Sequence, residues 1–186
     1  PANAMNTVEA ITEVITDADL IDATDAEYTA ERARVLRALV RTWEKVWLDR
    51  AWWFVFAEGS ITVPDGVGYV VLPSDFMDFT LYGGAFRTID GAQMVYKSPV
   101  WMKEQKLLPG HTVSNPYFYS IYGQDGTTKE PLFQTEVNSG SAVVKLLYRT
   151  EPPTLDESSN STNLSKMPDQ WHRSVLISGT KADIRA

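Results

Sequence analysis

From Tyr28 to Trp47 apolar residues return at steps of three and four: Tyr28, Val35, Leu36, Leu39, Val40, Trp43, Val46 and Trp47. Only an α-helix gathers such a series on one face. Thr24 followed by Glu27 has the spacing of a capping box, and Asp25 adds negative charge in the first turn, where the helix dipole favours it. The pattern predicts one helix from about Asp25 to about Trp53, roughly 40 Å long at 1.5 Å per residue. A helix of that length packs along another helix or along another subunit. Its end is crowded, because Trp43, Trp47, Trp52 and Trp53 are four of the six tryptophans. Adjacent helical residues diverge by about 100°, so Trp52 and Trp53 cannot both enter one core. One of them is expected against a β module or a neighbouring subunit.

A shorter amphipathic helix precedes this one, with Val8, Ile11, Val14 and Ile15 on one face between Thr7 and Leu20. After Gly59 the period changes. Ile61–Val63 and Tyr69–Leu72 flank Pro64-Asp65-Gly66, Phe86–Ile89 and Gln93–Tyr96 flank Asp90-Gly91, and Leu132–Val137 and Ala142–Tyr148 flank Asn138-Ser139-Gly140-Ser141. Each reads as a hairpin. Further strands are expected at Phe76–Tyr82 and Pro116–Tyr122. Ser98 before Pro99 reads as the N-cap of a short helix over Val100–Leu107. Glu151–Lys166, rich in serine and asparagine, reads as a linker with little to bury. A last helix starts at Pro168-Asp169, with Trp171, Val175 and Leu176 as its buried side.

The fold class expected is α+β: a helical bundle from the N- and C-terminal helices with an inserted antiparallel β module. Residues 1–58 hold the N-terminal helices, 59–150 the β module, 151–167 the linker, and 168–186 the C-terminal helix packing on the N-terminal ones. Met5 is a candidate initiator, and Ile184–Ala186 falls in a helical pattern with no stop signal, so the chain is expected to run on.

The formal charge of −7 argues against a protein that wraps DNA by neutralising phosphates, while leaving a negative surface along which a duplex slides without sticking. With no cysteine in the chain, disulfides, thiolate zinc sites and cysteine nucleophiles are excluded. No apolar run approaches the roughly 18 residues of a membrane span, and no basic-then-apolar leader is visible. His111 and His172 are the only histidines, and no nucleophile–base pair, metal-ligand spacing or phosphate-binding glycine loop occurs. Asp75 and Asp78, three apart, would face opposite sides of a strand. In Leu72-Pro73-Ser74-Asp75-Phe76 the expected roles are structural: Pro73 ends a strand, Ser74 or Asp75 caps the turn, and Phe76 enters the core. Neither an enzyme nor a cofactor is expected.

Arg34, Arg37, Arg41 and Lys45 follow one another at steps of three, four, then four, which aligns them on one helix face. With Trp52 and Trp53 they form the candidate subunit interface. The plainer alternative is a solvated face partnered by Glu27, Glu31 and Glu44.

The order of these features resembles the head-to-tail adaptor (connector) proteins of tailed bacteriophages. The pieces are the Trp-rich helix end Trp43–Trp53, the Ile61–Phe76 stretch closing on Leu-Pro-Ser-Asp-Phe, the apolar strand Val143–Arg149 leading into Glu151-Pro152-Pro153, and the helix from Pro168 onward. The resemblance implies a structural virion protein of the neck, made in the host cytoplasm, with no catalytic residues and no membrane contact. It further implies a homo-oligomeric, dodecameric ring below the portal protein. Such a ring extends the channel for genomic double-stranded DNA without binding it specifically, and docks the next connector or tail protein. The rival reading is a carbohydrate- or peptide-binding β module of another virion protein, with Trp101, Tyr117, Phe118, Tyr119 and Tyr122 as an exposed aromatic platform.

Overall fold

A computed structural model of the chain describes residues 5–17, 28–49, 52–79, 83–108, 110–155, 164 and 167–185. The architecture is α+β, in two compact units: Pro1–Val55 with Pro152–Ala186, and Phe56–Glu151.

The first unit is helical. Helix α1 (Thr7–Asp17) starts from a reciprocal cap: Glu9 N–H donates to Asn6 Oδ1 at 2.9 Å, and Asn6 N–H donates to Glu9 Oε2 at 3.0 Å. This Asn-x-x-Glu pair was not singled out in the sequence, although its spacing is that of a capping box. The box read at Thr24 and Glu27 lies outside the described residues, as does the start of the predicted long helix at Asp25. Helix α2 (Tyr28–Asp49) buries Val35, Ala38, Leu39, Thr42, Trp43 and Trp47. It ends at Asp49, short of the expected Trp53. The Trp52 indole N–H donates to the Val46 carbonyl at 2.9 Å, satisfying a last-turn acceptor that a longer helix would have bonded itself. Trp53–Val55 then forms a 3₁₀ turn.

The C-terminal helical run is α4 (Asp169–Trp171), a π-helical segment His172–Ile177 and α5 (Ser178–Arg185). Its buried side is His172, Leu176 and Ile177; Val175, expected inside, is exposed, and Trp171 is half-buried. The wider π turn changes the angular step between residues, so a face counted at 3.6 residues per turn drifts off target. His172 Nε2 faces the carbonyl oxygens of Leu164 and Met167 at 2.8 and 3.1 Å, so that nitrogen carries the proton. Leu155 and Leu164 are buried, which corrects the reading of 151–166 as a stretch with little to bury. The Trp43 indole N–H donates to the Pro153 carbonyl at 3.1 Å and fixes the same segment to α2. Helices α2 and α5 pack closely because Gly179 has no side chain: a Cβ there would lie 2.7 Å from Thr42 Cγ2.

The second unit is two sheets around one core. Strand β8 (Ala142–Thr150) is the centre of the first, pairing antiparallel with β1 (Phe56–Val63) on one side, and with β3 (Phe76–Asp78) and β4 (Gly84–Arg87) on the other. The second sheet runs β2 (Tyr69–Val71), β7 (Pro131–Thr135), β6 (Phe118–Gln124), β5 (Val95–Tyr96). Ile61, Val63, Phe76, Val144, Leu146 and Tyr148 from one sheet meet Tyr119 and Phe133 from the other in a common core.

Two of the three expected hairpins do not form, and the one at Asp90-Gly91 is short, with Arg87 N–H donating to the Ala92 carbonyl at 2.9 Å and Met94 N–H to the Ala85 carbonyl at 2.8 Å. β1 pairs with β8 over eight residues, from Phe56↔Arg149 to Val63↔Ala142, while β2 pairs with β7. Around Asp90-Gly91 one bridge joins Phe86 to Gln93, after which β5 leaves to run parallel to β6. The turn at 138–141 carries the chain from one sheet to the other. A further hairpin is β6–β7, where the Asp125 carboxylate accepts from the N–H groups of Thr127 and Thr128 at 2.9 and 2.7 Å. Those bonds hold the Asp125 carboxyl below the usual value. Helix α3 (Pro99–Leu107) has its predicted cap, with Ser98 Oγ accepting from Trp101 N–H at 3.3 Å. Of the strand expected over Phe76–Tyr82, Phe76–Asp78 is formed and residues 80–82 lie outside the described residues.

Candidate assembly surface

The basic face of α2 is shared between solvent and the chain's own C-terminal helix. Arg41 donates to Asp183 Oδ2 through Nε at 2.9 Å and Nη2 at 2.6 Å, and Lys45 Nζ reaches Asp183 Oδ1 at 3.4 Å. The Arg41 hydrogen bonds, joined by those of Lys45, hold the Asp183 carboxyl below its ordinary range. Arg34 pairs with Glu31 at 3.4 Å and donates to the Ile184 carbonyl at 3.0 Å, which suits the negative end of the α5 dipole. Arg37 is exposed and makes no ion pair among the described residues. The stripe is therefore real as a row, but three of its four members, Arg34, Arg41 and Lys45, also hold α5 in place. Asp183 was missed in the sequence because its partners lie 138 and 142 residues away.

Trp52 and Trp53 take different roles. The Trp52 ring meets Trp171 edge-on at 4.6 Å and stacks over Phe54 at 6.2 Å, so it packs inside the helical unit. Trp53 is 74% exposed and rests edge-on against Phe54 at 5.8 Å. Beside Trp52 and Trp171 runs an open groove of about 430 Å³, lined also by Lys45, Val46, Asp49 and Val175. Leu48, on the outer side of α2, is nearly half exposed. Trp171 and Val175 were read as buried positions and not as surface; Trp171 is half-buried against Trp52 and Phe54, and Val175, within the π turn, is exposed.

Of the rival reading's aromatic platform, Trp101, Phe118 and the exposed Tyr117 adjoin, while Tyr119 is withdrawn into the core. Tyr119 is buried, stacked on Phe133 at 5.2 Å, and burial raises its hydroxyl above the usual value. Trp101 and Phe118 meet edge-on at 4.9 Å, and Lys97 Nζ lies 5.3 and 5.0 Å from their ring centroids. The Arg87 guanidinium lies 5.0 Å from the centre of Tyr117. Each of these three rings thus lies within cation–π reach of one of the module's own cations. Burial raises Tyr122 as well.

Buried polar groups in this unit brace loops. Glu136 Oε2 accepts from the N–H groups of Tyr117 and Phe118 at 2.9 and 3.1 Å. Lys106 Nζ donates to the Gly68 carbonyl at 2.8 Å and to Gln134 Oε1 at 2.6 Å, and its desolvation lowers its pKa. Asp75, read as a turn cap, instead accepts from the Tyr148 hydroxyl at 2.9 Å; Phe76 is buried as expected. Among the described residues no group of three or more His, Cys, Asp or Glu side chains converges to hold a metal, and no helix is long and apolar enough to cross a membrane.

What the helical unit offers is exposed surface: a basic row, an unburied tryptophan and a groove. That is the profile of a structural protein that works by contact with other chains. The chain belongs to the SU10 adaptor protein family, whose model matches residues 5–180. It is thus a phage head–tail adaptor, a structural protein of the virion that interacts with other phage head and tail proteins. No curated protein matches it.

Proposed function

We propose that copies of the chain form a closed ring, dodecameric as the resemblance to phage connectors implies, below the portal protein. The ring extends the channel for genomic DNA and docks the next connector or tail protein. The family match over residues 5–180 carries this reading. Two physical features support it. A ring needs two different surfaces that meet side to side and close, and the helical unit has a basic row and an apolar groove. The net charge of −7 suits a lumen through which DNA passes without specific binding. Synthesis in the host cytoplasm and assembly at the neck follow from the same reading.

Native mass spectrometry of the purified chain, alone and mixed with the portal of the same phage, is the test. A ring, or uptake of many copies by the portal, is expected; a monomer that ignores the portal refutes the reading. Arg34, Arg37 and Arg41 remain candidate contacts, and charge reversal there is expected to impair assembly without unfolding the monomer. Because Arg41 holds Asp183 and Arg34 reaches Ile184, Arg37→Glu is the cleanest single change.

A further inference from the structure

We propose that the Trp53 indole of one copy seats in the groove bounded by Val46, Asp49, Trp52, Trp171 and Val175 of the neighbouring copy. The inference rests on the ring reading above and names the contact that would close each joint.

Trp53 is a large ring left 74% exposed, and its described ring contact is with Phe54. Tryptophan at a protein surface is the residue type most enriched among contacts that dominate binding. The same unit carries a slot for such a ring. At about 430 Å³ the groove sits at the small end of ligand clefts, room for a side chain and not for a helix. Its walls are set in advance: Trp52 is pinned by its 2.9 Å bond to the Val46 carbonyl and braced edge-on by Trp171 at 4.6 Å. Trp53 is not among the residues lining it.

The chemistry of slot and ring is complementary. An indole offers an apolar body, one N–H donor and a negative face. The groove offers the apolar walls of Val46, Trp52, Trp171 and Val175, rimmed by Asp49 and by Lys45, whose ammonium also reaches Asp183 at 3.4 Å. Knob and slot are different patches of one chain; repeated head to tail, with each copy donating a tryptophan to one neighbour and receiving one from the other, the contact is heterologous, the kind that builds rings.

The absence of cysteine from the chain makes the test direct. Trp53→Cys and Val175→Cys chains are prepared separately, mixed, assembled on the phage portal and oxidised. Assembly of each variant is checked by native mass spectrometry. A disulfide-linked dimer that appears only in the mixture is expected. Rings that form without that dimer overturn the proposal and leave the ring reading standing. A dimer formed by Trp53→Cys alone overturns it too, because the two tryptophan sites would then face each other. If wild-type chain assembles neither alone nor on the portal, the ring reading fails and this contact fails with it. As a second variant, Trp53→Phe is expected to retain assembly and Trp53→Glu to lower portal uptake at least tenfold; equal uptake by both also overturns the contact.

Discussion

The Tyr148 hydroxyl donates to Asp75 Oδ1 at 2.9 Å across 73 residues of sequence, and the Glu151 N–H donates to the Asp75 carbonyl at 2.8 Å. One aspartate thus ties the Leu72–Phe76 turn to the end of the longest strand by side chain and by backbone. Phe76, next in the turn, packs against the Tyr148 ring at 5.6 Å. Two segments that looked like separate signatures in the sequence are one structural joint.

Tyr148→Phe is expected to destabilise the β module by about 1.5–3 kcal/mol, the usual worth of a hydrogen bond to a charged partner. Burial first, then the bond to Asp75, pushes the Tyr148 hydroxyl up to about 12. A raised pKa means the folded state holds the proton more tightly, so this stabilisation is complete below about pH 10 and is lost between about 10 and 12. Urea unfolding at pH 8 and pH 11.5 checks it. The stability gap between wild type and Tyr148→Phe should narrow at the higher pH; a constant gap removes the bond from the account.

Gly59 lies under the Tyr148 ring, and a Cβ there would sit 3.3 Å from Cε1. Gly59→Val is therefore expected to cost about 1–3 kcal/mol by overpacking, although valine favours strands. In a Tyr148→Ser background the sign should reverse, since the ring is gone and strand propensity remains. Denaturant midpoints of the four proteins in this cycle decide it; equal costs in both backgrounds would show the ring to be irrelevant.

Asp183 joins α5 to α2 through Arg41 and Lys45. Its carboxyl is held below the ordinary 3.8, so the contact contributes above that pH and fades as acid protonates it. Asp183→Asn should speed amide hydrogen exchange across 178–185 while leaving the β module unchanged. Carboxyl chemical shifts followed by NMR should bring the Asp183 midpoint back toward 3.8 in Arg41→Ala. No movement there means the pair is not closed in solution.

Glu136 is buried and accepts two backbone N–H groups. Glu136→Ala strands both donors and is expected to cost about 2–4 kcal/mol, whereas Glu136→Gln, which retains one acceptor oxygen, should cost clearly less. Thermal unfolding of both variants measures the difference, and an alanine variant as stable as glutamine would overturn the bracing role.

Much of the helical part was readable because helical contacts are local. The face Val35, Leu39, Trp43, Trp47 and the cap at Ser98 follow from spacing that the chain enforces on itself. Where a side chain reached back, as Trp52 does to Val46, the helix ended earlier than its periodicity predicts. The basic row was also readable, but its engagement by Asp183 was not, because nothing local links residue 41 to residue 183.

The order of elements, the amphipathic faces and the turn sites were determined by the sequence itself, since each depends on steric and hydrogen-bonding preferences within a few residues. Partnership between strands was decided only by the tertiary structure. Alternation marks Ile61–Val63 and Tyr69–Val71 as strands equally well whether they pair with each other or with β8 and β7. The choice falls to the shared core, where Val63, Phe133, Val144 and Leu146 are buried together only when the chain crosses between sheets at each of those turns. The exposure of Trp53 was likewise settled by packing, because adjacent tryptophans read alike until one of them finds Trp171.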